Sequence, residues 1–266
     1  MTQEVVYLAG GRIVRRRLPD PDAVVLDGVL WGQYERIFTP AYWVSQVWMH
    51  RLDDPGASPF HSRRPLEDEV VFCMLSGFGV RAEVARAAFL ACRDQGLIAS
   101  RCTDPGRWSR VLGQPLVVNG KMVRYRYPNQ KARYLADAMT KLQGGAIDTR
   151  SGRALRDSLL RIKGCGRKTA GFIARNHLDT DEVAILDIHV VRAGLLMDVF
   201  SPGDRVERDY DRMEVRFIDF CQAAGVRPAT LDSVIWQQMR DMGGYALDAV
   251  RYKCGVGESP MTSAAL

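Results

Sequence analysis

Two short stretches constrain this chain more than anything else in it: Leu160-Arg-Ile-Lys-Gly-Cys-Gly-Arg-Lys-Thr-Ala170 and, downstream, Val183-Ala-Ile-Leu-Asp-Ile-His189. The first reads as the end of one helix, a Gly-x-Gly turn, and a second helix opening on Arg167-Lys168. Glycine tolerates positive φ and carries no Cβ, so the chain can reverse tightly and leave its backbone bare. The amides of Gly164, Gly166 and Arg167 would then point outward at a helix start. Unpaired N–H groups and the helix dipole attract an anion there, and Lys163 and Arg167 add charge. Such a turn grips a phosphodiester without reading sequence. As structure alone it is an αα-turn, for which one glycine would suffice.

Lys168 falls one turn inside the second helix. Most surface lysines only solubilise, but a helix N-terminus with Arg167 adjacent should disfavour the ammonium form and expose a free amine as nucleophile. Asp187 lies among apolar neighbours, where a carboxylate is seldom decoration. Its structural role would be to cap a helix beginning near His189, which is compatible with chemistry.

Charge sharpens the reading. The chain has 266 residues and a formal charge of +6. Residues 120–142 carry six Lys/Arg (Lys121, Arg124, Arg126, Lys131, Arg133, Lys141) against Asp137 alone. Residues 150–176 carry eight (Arg150, Arg153, Arg156, Arg161, Lys163, Arg167, Lys168, Arg175) against Asp157. The remainder is therefore net acidic, and the basic surface is local, as a nucleic-acid footprint should be. Solvated helix faces are the plainer reading of the same segments.

Six cysteines (Cys73, Cys92, Cys102, Cys165, Cys221, Cys254) are scattered without a CxxC. Neither zinc nor an iron–sulfur cluster is expected, and the thiols should be reduced, several of them in core positions. No signal peptide and no membrane span are expected, so a soluble cytoplasmic protein is the expectation; nucleoid association and a monomeric state are separate expectations.

The length allows one or two domains. Residues 1–58 read as a β-rich portion with one helix: Val5–Leu8 and Arg12–Leu18 flank Ala-Gly-Gly, a hairpin signal, and Val24–Leu30 is another β-branched run. Thr39-Pro40 should begin a helix through His50. Asp53–Ser58 is a loop. Residues 59–255 read as a helical core, with apolar three/four spacing over Leu66–Ser76, Arg81–Gln95, Asn129–Leu142, Arg153–Arg161, Arg167–His177, Val190–Met197, Tyr210–Ala224 and Thr230–Met242. Val117–Met122 is a small hairpin or a loop. Residues 256–266 read as a flexible tail.

Leu160–Asn176 together with Val183–Val190 resembles the helix–hairpin–helix/Gly-rich/Asp signature of the DNA glycosylase superfamily. Tyr127-Pro-Asn-Gln-Lys-Ala-Arg-Tyr-Leu135 is similar to the family's helix before the hairpin, and Leu66–Leu90 to its early buried helix pair. Lys at position 168 resembles the branch that excises a base and also nicks the strand. The absent cysteine cluster argues against the iron–sulfur members, and the β-rich start, the Lys168/Asp187 pair and His189 favour the 8-oxoguanine glycosylase-like side. The resemblance implies a mainly α helix–hairpin–helix bundle with a small β-rich N-terminal portion. It also implies a bifunctional glycosylase/AP lyase acting on double-stranded DNA with a flipped-out, damaged or modified nucleotide. Lys168 would attack C1′ and form a Schiff base, assisted by Asp187. Lys163, Gly164, Gly166, Arg167 and His189 would hold the DNA backbone. No cofactor is implied beyond a Na⁺ or K⁺ on the carbonyls of Leu160, Ile162 and Cys165.

For the base pocket or wedge the residues themselves offer Phe172, four residues after Lys168 and so on the same helix face, and Trp236, Gln237 and Gln238 on a late helix. Gln suits a base edge; Trp236 reads rather as core. Relatives place Asn or Gln at Leu75-Ser-Gly-Phe-Gly79, where this chain has Phe78, an apolar wedge candidate. Two other readings stay open. One is a glycosylase-fold enzyme of a bacterial antiviral defence system, acting on an unusual modified base. The other is a non-catalytic helix–hairpin–helix DNA-binding module.

Overall fold

Thr39 and Pro40 show how local chemistry sets this fold. Proline has no N–H to lose in a first helical turn, and the Thr39 hydroxyl accepts the Tyr42 amide at 3.1 Å. The structure, a computed structural model, describes residues 2–50, 61–77 and 79–255. The expected loop at 53–58, the wedge candidate Phe78 and the expected tail at 256–266 lie outside the described residues.

In chain order the elements begin with β1 (Gln3–Ala9), β2 (Arg12–Leu18), β3 (Val24–Leu26), β4 (Val29–Leu30), α1 (Pro40–Met49), α2 (Leu66–Leu75) and α3 (Ala82–Asp94). They continue with α4 (Pro105–Leu112), β5 (Leu116–Val118), β6 (Lys121–Val123), α5 (Pro128–Gln143), α6 (Gly152–Leu159) and α7 (Arg167–Leu178). The last are α8 (Ile188–Leu196), α9 (Val206–Ala223), α10 (Pro228–Met242) and α11 (Gly244–Cys254). The architecture is mainly helical, as expected, and among the described residues no helix is long and apolar enough to cross a membrane.

Contacts divide the chain into two compact units, Met1–Ser58 with Val183–Leu266, and Pro59–Glu182. In the first, β1 and β2 pair antiparallel from Gln3↔Leu18 to Ala9↔Arg12. Val24–Leu30 is not one strand: it folds back at Asp27-Gly28, a strong two-residue turn signal, so that β3 pairs with β4. One apolar core gathers Val5 and Leu18, Trp43, Val44 and Val47 of α1, Val190 and Val191 of α8, Phe217 and Phe220 of α9, and Leu231 and Ile235 of α10.

In the second unit α2 packs on α7, α4 on α5 and α6 on α7. Helix α4 is too short for its apolar period to stand out; its signal is chemical instead. Asp104 accepts the Gly106 amide at 2.8 Å, Pro105 takes the first helical position, and the fully buried Trp108 donates to the Cys102 carbonyl at 2.8 Å. Helix α11 likewise carries little signal in the sequence. It starts without a side-chain cap and buries only Ala246 and Val250. Residues 116–123 form a hairpin, β5 with β6.

Candidate functional site

The turn after α6 is built from three consecutive short-range bonds: the Arg161 amide to Ser158, the Ile162 amide to Leu159 and the Cys165 amide to Ile162, at 3.2, 3.0 and 3.1 Å. Ile162 and Cys165 plug into the interior. The two glycines turn out to do different work. Gly164 has φ +76°, and a Cβ there would come within 2.2 Å of the Tyr134 ring on α5. Gly166 has an ordinary φ of −83° and open space around it. Only Gly164 is demanded by its conformation; Gly166 leaves the start of α7 uncovered, and no side chain caps that helix. Arg167 and Lys168 occupy its first turn and are exposed, as are Lys163 and both glycines.

The hairpin is tied to α5 by Asp137, whose carboxylate accepts the Lys163 amide at 2.8 Å and bridges Lys141 at 2.5 Å. Burial pushes the Asp137 carboxyl up, but hydrogen bonds from the Lys141 ammonium and the Lys163 amide outweigh it and leave it below its ordinary value. Burial drives the Cys165 thiol up to about 12 against the pull of Lys131. Cys165 is therefore a packing residue and not a nucleophile. No disulfide joins any of the six cysteines, and four are buried.

Helix α7 is anchored from its far end. The Asn176 amide donates to Oε1 of Glu69 at 2.8 Å, and Glu69, on α2, is fully buried. Arg64 and the Cys73 thiol complete the carboxylate's shell at 3.4 and 3.3 Å. Arg175 donates to the Asn176 side chain at 3.1 Å and lies 4.8 Å from the Phe172 ring centroid. The Lys168 Nζ lies 6.0 Å from the same centroid. Phe172 is half-buried, one turn from the lysine, and Arg175 is stacked on it. Removing a buried ion partner leaves the rest uncompensated. Glu69→Ala should therefore cost about 3 kcal/mol in urea denaturation; a loss below about 1 kcal/mol would show that Glu69 does not anchor α7.

The charge map narrows in three dimensions. Arg156 and Arg175 are buried. Lys131 is half-buried, its ammonium on the carbonyls of Met74 and Ser76 at the end of α2, and burial lowers its pKa. These three cations serve packing rather than a footprint. Arg124, Arg133, Arg153, Arg161, Lys163 and Arg167 are among those that remain exposed.

Asp187 belongs to the other unit. It is the N-cap of α8, with Oδ1 accepting the amides of His189 and Val190, each at 2.9 Å, and it is only 8% exposed. The expected capping role is met. The apolar run before it is buried coil, fastened by Glu214 and Tyr210 of α9: Glu214 accepts the Ala184 amide and the Tyr210 hydroxyl donates to the Ala184 carbonyl, both at 3.1 Å. His189 is half-buried. Sequence reading missed Arg192. Burial lowers its pKa and the Asp187 charge raises it, so a cation accompanies the carboxylate. The only hint was its place on α8, five residues after Asp187.

The late helix corrects one expectation. Trp236 is not core: it is 43% exposed, with the Arg240 guanidinium 4.5 Å from its ring centroid. Gln237 is exposed. Gln238 accepts from the Tyr42 hydroxyl at 2.7 Å and donates to Gln46 at 2.8 Å, joining α10 to α1. Tyr42 and Gln46 carried no local signal, since their partner is almost two hundred residues away. Among the described residues no three His, Cys, Asp or Glu side chains gather as a metal site.

A helix–hairpin–helix with an uncapped second helix, an exposed lysine in its first turn and a helix-capping aspartate further on defines the class: a helix–hairpin–helix DNA glycosylase fold. The model of the 8-oxoguanine DNA glycosylase family matches residues 61–226, and the chain belongs to that family. A curated relative, the 8-oxoguanine DNA glycosylase/AP lyase of Metallosphaera sedula, is 31% identical over 124 residues, 44% of this chain and 59% of the relative's length. The crystal structure of Methanocaldococcus jannaschii 8-oxoguanine DNA glycosylase shares the fold at TM-score 0.55 and 20% identity, over 78% of this chain and 97% of that one. The same archaeal glycosylase/lyase, in complex with a 15mer DNA containing 8-oxoguanine, matches at TM-score 0.54 and 19% identity, over 75% and 98%.

Proposed function

We propose that this protein is a bifunctional DNA glycosylase/AP lyase that removes an oxidised or otherwise modified purine, of the 8-oxoguanine type, from duplex DNA. The observation that carries the reading is the exposed Lys168 amine in the first turn of α7, beside the bare Gly-Cys-Gly turn, in a chain of this family. The curated relative's own name joins the same two activities.

The uncapped amides at the start of α7, with Lys163 and Arg167, hold a backbone phosphate. The target nucleotide is flipped out of the stack. The Lys168 amine adds to C1′ as the glycosidic C–N bond breaks, and the base leaves with the bonding electron pair and takes up a proton. Asp187 stabilises the positive charge that develops on the sugar. Loss of a proton from nitrogen and opening of the sugar ring leave a Schiff base. A C2′ proton is then removed and the 3′ phosphate departs by β-elimination. His189 contacts a neighbouring phosphate. The carbonyls of Leu160, Ile162 and Cys165 are neutral oxygen donors at a helix end, where carbonyls lack helical partners. Ile162 spends one lone pair on the Cys165 amide. That donor set suits Na⁺ or K⁺, which would add positive charge beside the DNA.

Capping and catalysis at Asp187 can be separated, because Asn caps a helix as well as Asp. Asp187→Asn should keep thermal stability within about 0.5 kcal/mol, yet slow single-turnover excision by roughly a hundredfold or more. Excision at the wild-type rate would leave Asp187 with its cap alone. The reading as a whole is tested by borohydride trapping on a panel of lesion and abasic duplexes. A covalent adduct is expected, and its absence on every duplex would sink the proposal.

A further inference from the structure

The family match begins at residue 61, so it says nothing of the β1–β2 ribbon. In an antiparallel pair, residues opposite one another share a face. The inward face carries Val5 and Leu18, both buried, and Arg16, whose guanidinium lies 5.1 Å from the Trp48 ring centroid. The outward face pairs Glu4 with Arg17, Val6 with Arg15, and Leu8 with Ile13. Leu8 is 73% exposed, Ile13 66% and Val6 46%. The turn between them is the narrowest available: Gly10 and Gly11 both have positive φ, at 57° and 77°, as a two-residue hairpin requires. Large apolar side chains at an exposed ribbon tip need a reason.

Charge supplies one. The ribbon carries four arginines (Arg12, Arg15, Arg16, Arg17) against one acid, Glu4. Glu4 bridges Arg15 at 2.8 Å; Arg12, opposite Ala9 at the tip end of the other face, and Arg17, on the outward face at the far end of the ribbon, are both exposed. An apolar wedge flanked by arginines is the chemistry of minor-groove binding, where Leu or Ile slips between base steps and the guanidinium groups hold phosphates. We propose that the β1–β2 ribbon is a second DNA-contacting element, which inserts Leu8 and Ile13 into the minor groove and sets Arg12 and Arg17 on the backbone. This rests on the reading of duplex DNA as the substrate.

The test uses the full chain and a long undamaged duplex, so that it does not depend on excision. Leu8→Ser/Ile13→Ser and Arg12→Ala/Arg17→Ala are compared with wild type by fluorescence anisotropy over a salt series. Fluorescence transfer between the duplex ends reports bending. Both pairs are exposed, and thermal melts confirm folding. The arginine variant should lower the salt slope by roughly 2, one per lost phosphate contact. The tip variant should weaken binding about tenfold and straighten the duplex, leaving the slope unchanged. Unchanged affinity and bending in both variants would overturn the proposal. So would a change in oligomeric state in place of DNA affinity, which would mark the ribbon as an interface between copies. Ribbon-dependent binding without a trapped adduct on any lesion would defeat the catalytic reading and leave this one standing. A trapped adduct with ribbon-independent binding would do the reverse.

Discussion

Lys168→Gln will bind duplex DNA and yield no borohydride-trapped adduct. Glutamine has nearly the helix propensity of lysine and a similar reach, so α7 should keep its stability within about 0.5 kcal/mol. The residue is exposed, and its loss opens no cavity. What disappears is the amine, and with it the bond to C1′. Excision should fall by roughly a thousandfold or more, and strand cleavage with it, because the covalent route is closed rather than slowed. DNA affinity should fall only slightly, since the other exposed cations of the footprint remain. Trapping on a lesion duplex, read beside a binding titration, separates the two effects. An adduct at the wild-type level would remove Lys168 from the chemistry.

The second large effect is expected at Gly164. Alanine there would stand at φ +76° with its Cβ 2.2 Å from an aromatic carbon of Tyr134. The left-handed backbone costs about 1–2 kcal/mol outside glycine, and forcing a methyl into a packed ring about 1–3 kcal/mol. Gly164→Ala should therefore lose about 3 kcal/mol in urea denaturation and bind DNA markedly more weakly, because the turn must shift. Pairing it with Tyr134→Ala should relieve the clash with the ring but not the backbone term, judged against Tyr134→Ala alone. Gly166→Ala is the counterpart. With φ −83° and nothing within 4 Å, it should change stability by less than about 1 kcal/mol while placing a methyl where a phosphate would approach. Equal stability losses at the two glycines would contradict the division of labour between them.

Much of the candidate site was legible along the chain because its structural determinants are local. A glycine turn, a lysine near a helix start and an aspartate capping the next helix each act within a few residues, so their spacing survives in one dimension. The same holds for Thr39-Pro40 and for the β1–β2 hairpin. Trp236 was misjudged because burial is decided by what packs against a helix face, and nothing nearby in sequence states that. Gln238 could be read as a polar candidate, but its engagement with Tyr42 and Gln46 could not.

By itself, then, the order of residues determined the helix–turn–helix with its two glycines, the candidate amine and carboxylate, and the β-ribbon at the start, since these follow from backbone sterics and hydrogen bonds between near neighbours. Only the folded molecule decided why Gly164 must be glycine, which depends on the ring of Tyr134 thirty residues earlier. It also decided that Glu69 holds α7 through Asn176, that Arg156 and Arg175 are buried and Lys131 half-buried, and that Leu8 and Ile13 stand exposed. Each of these depends on which side chains meet across elements distant in sequence, and on how much water they exclude.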